Sequence, residues 1–305
     1  MKSLLIAATA LYFSPEIARR NLDIAASTYC DEGKWNYLDG IKVIARIPDK
    51  STIIIAEDTV QNATVVAIRG SSNIDNWIHN FEFEMTAPYA DKSVRVHKGL
   101  YDEYLSYRDE VLPYIENADN VIFTGHSSGA AVSMFFAYDA GTVAASESGI
   151  ATSSLPRTPP TTSPFLTDNA KEEPERKGVV GVPAMPAIYA EGVRNVVSPT
   201  VYSFGSPRIG NDRFAETAKH IPHYRITHAN DIVPHLPEEV FGYRHTEREI
   251  WFPTSSPDEY VICEGNEDPK CSNSCAPLDC ISVDAHLNYM GLAIGSDSCG
   301  REPTV

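Results

Sequence analysis

Apolar residues recur along the chain with two periods, and the alternation between them predicts helices and strands. A first helix is predicted from Pro15 to Tyr29, because apolar positions there follow a helical spacing, with Ser14 as N-cap and Pro15 at the first helical position. The pattern then changes to short β-rich runs. These predict strands at Ile41 to Ile47, Ser51 to Ala56 and Ala63 to Ile68.

Further along, strands and helices alternate. A helix is predicted from Tyr101 to Ile115, a buried strand from Asn120 to Thr124, and a helix rich in small residues from Ala130 to Ala140. The same alternation returns with a strand from Thr200 to Phe204, a helix near Asp212 to His220 and a strand from Tyr224 to Thr227. Strand, tight turn and helix in this order are what a parallel α/β sheet requires. We therefore expect one α/β domain over residues 1–305.

Residues 141 to about 192 interrupt this alternation. They are rich in proline, threonine and charged residues and contain few large apolar groups. Such a segment cannot bury enough surface to offset the entropy of ordering it. We predict a disordered surface insertion, with a gene-model artefact as the alternative.

The composition and net charge of the chain exclude some classes of protein and partner. With 43% hydrophobic and 22% charged residues the chain has the composition of a globular protein. A formal net charge of -16 argues against nucleic acid or an anionic membrane surface as the main partner, because phosphate-rich partners need positive faces. No apolar run is long enough to predict a transmembrane helix. A signal peptide is only marginally indicated, by the short apolar run from Leu4 to Ala10.

Six cysteines bear on the cellular compartment: Cys30, Cys263, Cys271, Cys275, Cys280 and Cys299. The competing interpretation is a zinc site formed by Cys263, Cys271, Cys275 and Cys280, but the chain has no C-x-x-C pair. Disulfides are therefore preferred, and they place the protein in an oxidising compartment. Secretion is inferred from the cysteines more than from the N-terminal residues.

The pattern G-x-S-x-G occurs at residues 125–129, between a predicted strand and a predicted helix. This pattern forms a nucleophile elbow, a sharp turn that exposes the hydroxyl of its serine, and the small residues leave room for strained backbone angles. The amide of Ser128 would lie at a helix N-terminus, where it can stabilise an oxyanion. The pattern alone is weak, but its position makes Ser127 the predicted nucleophile.

A nucleophilic serine needs a histidine base, and the base needs an acid that fixes its tautomer. The usual order in α/β-hydrolases is Ser, then Asp or Glu, then His. Asp231 follows directly after a predicted strand and is the predicted acid. Among the later histidines, His235 is assigned to the Asp231 loop and His245 to a charged run predicted to be solvated. The predicted base is His286.

These residues lie in segments that resemble the fungal triacylglycerol lipase family, also called class 3 lipases, which includes feruloyl esterases. The resemblance covers about residues 15–140 and 195–300. It rests on residues 69–72 with Trp77, on 96–100, on the elbow, on 202–211, on the Asp231 segment 225–234 and on the His286 segment 286–289.

The resemblance implies an α/β-hydrolase fold, with a mostly parallel central sheet, helices on both faces and a lid helix. It also implies that Ser71 is the second oxyanion residue beside Ser128. Residues from Ser72 to about Glu84 would form the lid, whose apolar side chains would bind substrate at an oil-water interface: Ile74, Trp77, Ile78, Phe81 and Phe83. The alternative is an amphipathic helix packed on the core. The acidic residues of this segment make it more polar than a strongly lipophilic lid.

The chain also departs from the family pattern. Ser128 stands where these lipases commonly carry leucine, and Ala130 where a second glycine is frequent; both are small enough to preserve the turn. The spacing between Ser127 and Asp231 is unusually long because of the insertion. The family pattern further implies the disulfide pairs Cys30–Cys299, Cys263–Cys271 and Cys275–Cys280.

Together these features predict a carboxylic ester hydrolase, foremost a triacylglycerol lipase. His286, oriented by Asp231, would remove the proton of Ser127 as its oxygen attacks the ester carbonyl, and water would then release the acyl group. No metal or cofactor is needed. The alternatives are a feruloyl or other carboxylesterase acting on non-lipid esters, and a non-catalytic lipid-binding relative.

Overall fold

A mixed eight-stranded sheet lies at the centre of the protein in a computed structural model. The structure describes residues 13–31, 39–48, 52–79, 81–147, 197–275, 278–296 and 299. The strands are β1 Ile41–Pro48, β2 Thr52–Asp58, β3 Ala63–Ile68, β4 Met85–Thr86, β5 Val96–His97, β6 Asn120–His126, β7 Val197–Phe204, β8 His223–His228, β9 Glu249–Phe252, β10 Val261–Ile262, β11 Asn288–Tyr289 and β12 Leu292–Ala293.

The central sheet has the order β1-β2-β3-β6-β7-β8-β9-β10. Its middle strands, from β3 through β6, β7 and β8 to β9, are parallel, and antiparallel pairs close both edges. In the parallel part, the carboxyl ends of the strands meet at one edge, where loops can bring distant residues together. The small pairs β4–β5 and β11–β12 lie outside this sheet.

Helices cover both faces of the sheet. They are α1 Pro15–Ser27, α2 Ile74–His79, α3 Lys98–Ile115, α4 Ser128–Glu147, α5 Asp212–Thr217 and α6 Val283–His286, with 3₁₀ turns at Ala218–His220, Val233–His235, Glu239–Phe241 and Ser272–Cys275. Alternate residues of a strand point to opposite faces, so Ile54 packs with α1 in one core and Ile55 packs with α3 and α4 in the other.

Most predicted elements are present, and local hydrogen bonds set their ends. Ser14 caps α1 as predicted, its side-chain oxygen accepting a hydrogen bond from the amide of Ile17. The next long helix, α3, begins at Lys98 rather than Tyr101, because the His97 side chain accepts from the amide of Leu100 and caps the helix earlier. Helix α4 continues to Glu147, so residues 141–147 of the predicted insertion are helical. Residues 148–192 of that prediction lie outside the described residues.

The prediction that the charged run around His245 is solvated holds for Glu247 and Arg248, which are exposed, but is wrong for His245 and Glu249. His245 is buried, and its Nε2 donates a hydrogen bond to the carbonyl of Pro234 over 2.6 Å. Glu249 is buried as well, and pairs with the buried Arg225 of β8 at 3.2 Å. A polar or charged side chain can be buried when it has a partner, and here the partners are the carbonyl of Pro234 and the side chain of Arg225.

Three disulfides join the pairs that the family pattern implies. Cys30 at the end of α1 is bonded to Cys299. The other two bonds, Cys263–Cys271 and Cys275–Cys280, close short loops between β10 and α6. The described cysteines are all oxidised. This matches the expectation of disulfides.

Buried histidines predict a loss of stability in mild acid. Burial lowers the pKa of His97 and His235 to about 4 and that of His223 to about 3, and holds the pKa values of His126 and His245 well below the ordinary range. In the unfolded chain these groups titrate near a pKa of about 6.5. Between pH 6.5 and 4 the unfolded state therefore binds more protons, and the free energy of unfolding decreases as the pH falls.

We expect the unfolding temperature to fall by about 10 °C between pH 7 and pH 4. Asp139 and Asp23 act in the opposite sense, because burial raises the pKa of Asp139 to about 6 and also raises that of Asp23, but these two carboxyls offset only part of the effect of the five histidines. Thermal unfolding followed by circular dichroism at several pH values between 7 and 4 measures the change in unfolding temperature. His223→Gln should weaken the pH dependence, whereas the exposed His220→Gln should not. A constant unfolding temperature would contradict the prediction.

Candidate active site

Ser127 occupies a strained turn between β6 and α4. Its φ is 60°, in the left-handed region that non-glycine residues rarely adopt. The two glycines of the elbow make room for it: a Cβ on Gly125 would lie 2.5 Å from the backbone of Gly129, and one on Gly129 would lie 2.2 Å from the carbonyl oxygen of Ile68. The predicted nucleophile elbow is thus present in the structure.

Asp231 and His286 form a buried hydrogen-bonded pair. Nδ1 of His286 lies 2.9 Å from Oδ2 and 3.1 Å from Oδ1 of Asp231. A carboxylate only accepts hydrogen bonds, so Nδ1 carries the proton and Nε2 is left with its lone pair. This is the tautomer that a general base needs. Two other donors orient Asp231, namely the amide of Val233 at 2.8 Å and the hydroxyl of Tyr289.

The elbow and the Asp231–His286 pair converge at the carboxyl end of β7. The amide of Ser127 donates to the carbonyl of Phe204, the last residue of β7, at 2.9 Å. The next residue, Gly205, lies so close to His286 that a Cβ would be 3.0 Å from its Nδ1 and Cε1. The His126 and His286 rings are 4.4 Å apart. Two distant parts of the chain therefore meet beside Ser127.

A short backbone pairing joins the acid segment to the base segment. Ser282 donates its amide to the carbonyl of Asn230 at 3.1 Å and accepts from the amide of Ile232 at 3.3 Å. Its side chain also caps α6, accepting from the amide of Ala285, and His286 is the last residue of that helix. The helix end is tied to β8 by the His228 side chain, which donates to the carbonyl of Ala285. Ser282 thus links both sides of the Asp231–His286 pair.

The two atoms that would exchange a proton are closed off from solvent. Ser127 and His286 are buried, and neither Oγ of Ser127 nor Nε2 of His286 has a hydrogen-bond partner within the described residues. A buried polar atom without a partner costs free energy and is typical of a functional site. An ester can reach Ser127 only after some covering segment moves.

The two predicted oxyanion residues lie on either side of the elbow. Ser128 is the first residue of α4, where backbone amides have no partner within the helix. Gly70, directly before Ser71, packs against the elbow, since a Cβ on it would be 2.7 Å from Cβ of Ser127. Ser128 thus directly follows Ser127, and Ser71 directly follows a residue that contacts Ser127.

The predicted lid is shorter and less regular than expected. Its helix α2 has six residues and contains Ile74, Trp77 and Ile78, all half-buried. Phe81 and Phe83 lie beyond the helix, contrary to the prediction. Their rings pack on residues of other elements: Phe81 stacks on His97, with ring centroids 4.6 Å apart, and Phe83 stacks on Phe241 at 4.7 Å. These contacts account for their position outside the helix.

A cavity of 570 Å³ opens between α2 and α3, next to Ser71. One wall comes from residues 71–73, Asn76 and Trp77, and the other from Asp102, Glu103, Ser106 and Tyr107. Most of the lining residues carry polar side chains, and the aromatic rings of Trp77 and Tyr107 complete the walls. Ser127 does not line this cavity.

Some residues of the site were missed in the sequence. Tyr289 lies three positions after His286 in the family-like segment, and an aromatic side chain there was the one available signal. Its burial and its bond to Asp231 raise the pKa of Tyr289 well above the ordinary range, so the hydroxyl stays a donor. His126 lies within the elbow pattern at a position that the pattern leaves open. Nothing in the sequence pointed to Tyr29, which contacts His126.

A second serine-histidine contact has a different character. Oγ of Ser203 lies 2.7 Å from Nε2 of His223, but the other ring nitrogen faces the hydroxyl of Thr246 rather than a carboxylate. Burial lowers the pKa of His223 to about 3, and Ser203 lies within β7 rather than at a turn. This contact lacks the acid that orients a catalytic base and is part of the core.

Two groups of side chains have metal-like spacing, within the ranges that the structure describes. They are His235 with Cys275 and Cys280, and Glu249 with Cys263 and Cys271. All four cysteines are in disulfides, so they have no thiolate to offer a metal. The alternative of a cysteine zinc site is therefore incompatible with this structure.

Comparison with known proteins finds that this chain is similar to lipases. The family described as Lipase (class 3) matches residues 65–158 and 184–241. A lipase of Rhizomucor miehei is 27% identical over 293 residues, which are 89% of this chain and 67% of the relative. A secreted mono- and diacylglycerol lipase of Fusarium solani is 28% identical over 249 residues, which are 77% of this chain and 58% of that protein.

Solved structures of lipases have the same fold as this chain. Lipase II from Rhizopus niveus superposes with a TM-score of 0.69 at 22% identity, covering 92% of this chain and 96% of the other. A triacylglycerol lipase whose catalytic centre is a serine protease triad superposes with a TM-score of 0.67 at 26% identity, covering 93% of this chain and 97% of the other. The predicted α/β-hydrolase fold is confirmed. The chain spans about 58% to 67% of the length of the two curated relatives.

Proposed function

The chain belongs to the class 3 lipase family, and from this we propose that it is a serine hydrolase of carboxylic esters, with triacylglycerols as its main substrates. We assign Ser127 as nucleophile, His286 as general base and Asp231 as the acid that orients it. The observation that carries the assignment is the buried Asp231–His286 hydrogen bond beside a serine in a left-handed turn. The relatives named as lipases support the substrate class.

The reaction proceeds in two steps. Nε2 of His286 takes the proton of Ser127 while Oγ bonds to the ester carbonyl carbon, and the amides of Ser71 and Ser128 stabilise the resulting oxyanion. The C–O bond to the alcohol then breaks, and His286 gives the proton to the departing oxygen. In the second step His286 removes a proton from water, which attacks the acyl carbon and releases the acid. Ser127 regains its proton from His286.

An oil-water interface fits the surface next to α2. An aromatic ladder, defined as Trp77, Phe81, Phe83 and Phe241, runs from α2 to the 3₁₀ turn at Glu239–Phe241. Its outer members are exposed, Phe83 by 41% and Phe241 by 49%, and the neighbouring Val240 by 81%. Contiguous exposed apolar side chains of this kind mark contact surfaces. Because the chain has a net charge of -16, we propose an uncharged lipid surface as the partner.

A second candidate is an esterase acting on soluble, non-lipid esters, such as feruloyl esters. The observation that favours it is that polar side chains, among them Asp102, Glu103 and Asn76, lie in the walls of the cavity beside Ser71. A polar substrate could form hydrogen bonds to these side chains.

We propose that the enzyme works outside the cell. Three disulfides need an oxidising compartment, and relatives are named as secreted lipases. The residues of the marginal signal-peptide candidate lie outside the described ones. As for membrane insertion, none of the described helices combines the length and apolar character needed to span a bilayer.

The test combines a covalent probe with a series of substrates. A fluorophosphonate should label the protein once, at Ser127, and mass spectrometry of the labelled peptide locates the site. Hydrolysis of triglycerides and aryl esters of rising chain length, below and above their solubility limits, then separates the two candidates. A lipase becomes faster when long-chain substrate aggregates, and an esterase prefers the soluble esters. Absence of labelling would contradict both and favour a non-catalytic relative.

Trp77→Ser is expected to slow hydrolysis of emulsified long-chain triglyceride about tenfold or more, while hydrolysis of a soluble short-chain ester changes less than about twofold. A large apolar side chain contributes about 1.5 to 3 kcal/mol when it is buried, and Trp77 would be buried against lipid when the lid opens. Initial rates on both substrates measure the effect. Trp77→Phe is the matched control and should keep most of the activity on emulsion. Equal losses on both substrates would mean that Trp77 only supports the fold.

A further inference from the structure

A buried chain of hydrogen bonds connects the three backbone segments that border the site. The amide of Gly70 lies 3.1 Å from the hydroxyl oxygen of Tyr29, and that oxygen lies 2.8 Å from Nδ1 of His126. On its other side, Nε2 of His126 lies 2.8 Å from the carbonyl oxygen of His286. One tyrosine and one histidine thus bridge Gly70 and His286.

The direction of every bond in this chain is fixed. The carbonyl of His286 only accepts, so Nε2 of His126 carries a proton. Burial and the nearby His286 hold the pKa of His126 well below the ordinary range, so its ring is neutral and Nδ1 accepts. Tyr29 must therefore donate to Nδ1, and its oxygen accepts from the amide of Gly70. With a neutral His126 ring, no other placement of the protons on Tyr29 and His126 satisfies all three hydrogen bonds.

The residues joined by these hydrogen bonds are neighbours of residues in the proposed mechanism, or belong to it. Gly70 directly precedes Ser71, His126 directly precedes Ser127, and His286 is the base itself. Tyr29 comes from outside these segments, just after α1, where its amide donates to the carbonyl of Ala26. Its ring also packs edge-on against His126 at 5.8 Å. The side chain of Tyr29 thereby connects the segment before Ser71 to the elbow.

We propose that Tyr29 is a positioning residue for the ester hydrolysis, acting through Gly70 and His126 to align the Ser71 amide, Ser127 and His286. This inference rests on the proposed function. Without the Tyr29 hydroxyl, the Gly70 amide and Nδ1 of His126 lose their shared partner, and the oxyanion segment can shift relative to the elbow. A displacement of about 1 Å in such a site can cost about 100-fold in rate.

The test is Tyr29→Phe, which keeps the ring and removes the hydroxyl. We expect kcat on a soluble short-chain ester to fall about 10- to 100-fold with KM unchanged within about twofold, because alignment matters most in the transition state. The rate of fluorophosphonate labelling should fall by the same factor. The matched control is Tyr138→Phe, which removes a buried hydroxyl that donates to Thr217, far along α4. It should keep the parent kcat.

A double-mutant cycle shows whether Tyr29 acts through His126. His126→Asn should lower kcat by itself, and adding Tyr29→Phe to it should cause little further loss, since both changes break one chain. Should Tyr29→Phe fail to fold, His126→Asn tests the chain alone, and an unchanged kcat in it would overturn the proposal. Full additivity, or a Tyr29→Phe kcat within twofold of the parent, would also overturn it. A parent protein that neither labels nor hydrolyses esters would instead overturn the proposed function.

Discussion

Replacing Ser127 with alanine is expected to lower kcat for ester hydrolysis by about 10⁶-fold, because removing the nucleophile of a serine triad disables the whole unit. The fold should remain intact. The Ser127 hydroxyl is buried and has no hydrogen-bond partner in the part of the chain that the structure describes, so its loss removes an unsatisfied group and should leave the unfolding temperature unchanged or slightly higher.

Rates on a short-chain ester, fluorophosphonate labelling and thermal unfolding measure these effects together. The matched control is Ser133→Ala in the same helix, whose hydroxyl donates only to the carbonyl of Gly129. It should keep the activity. Retention of more than about a tenth of the parent rate in Ser127→Ala would place the nucleophile elsewhere.

Asp231→Asn is expected to lower kcat by about 10⁴-fold, the second largest effect. Both oxygens of Asp231 accept hydrogen bonds, from His286, Tyr289 and the amide of Val233. An asparagine side chain has only one oxygen, and its other terminal group is an NH2, which donates. The NH2 must therefore face at least one of the three groups that donate to Asp231, and that hydrogen bond is lost. If it faces His286, it stabilises the tautomer in which Nε2 holds the proton and cannot accept one from Ser127.

The same mismatch should lower the free energy of unfolding by about 1 to 3 kcal/mol, which separates this variant from Ser127→Ala. Asp284→Asn is the matched control, since Asp284 is exposed and lies two residues before His286. Steady-state rates and denaturant unfolding of both variants provide the measurement. A loss of less than tenfold in Asp231→Asn would show that another group orients the base.

The central part of the site follows from sequence because its signals are local. Ser127 is specified by glycines two positions away, and Asp231 and His286 by their order along the chain and short family-like segments. The strands around them are equally local, since continuous apolar runs predict buried parallel strands. For this reason a parallel α/β sheet could be predicted from the apolar pattern, and the resemblance to class 3 lipases then implied the α/β-hydrolase fold.

What the sequence did not reveal depends on long-range contacts. Tyr29 and His126 are 97 positions apart, and no spacing rule connects them. His245 looked solvated because the partners that compensate the charges around it, among them Arg225, lie on another strand. The end of α2 was misplaced because Phe81 and Phe83 pack on His97 and Phe241, which come from other elements.

The Cys30–Cys299 bond turns most of the polypeptide into a covalent ring. A single backbone cut between Glu147 and Val197 would open this ring without releasing a fragment. The amino-terminal piece would keep Ser127 and Cys30, the carboxy-terminal piece would keep Asp231, His286 and Cys299, and the disulfide would hold the two together. The parallel pairing of β6 with β7 would span the same junction. The fold is therefore compatible with a two-chain hydrolase whose nucleophile and base belong to different polypeptides.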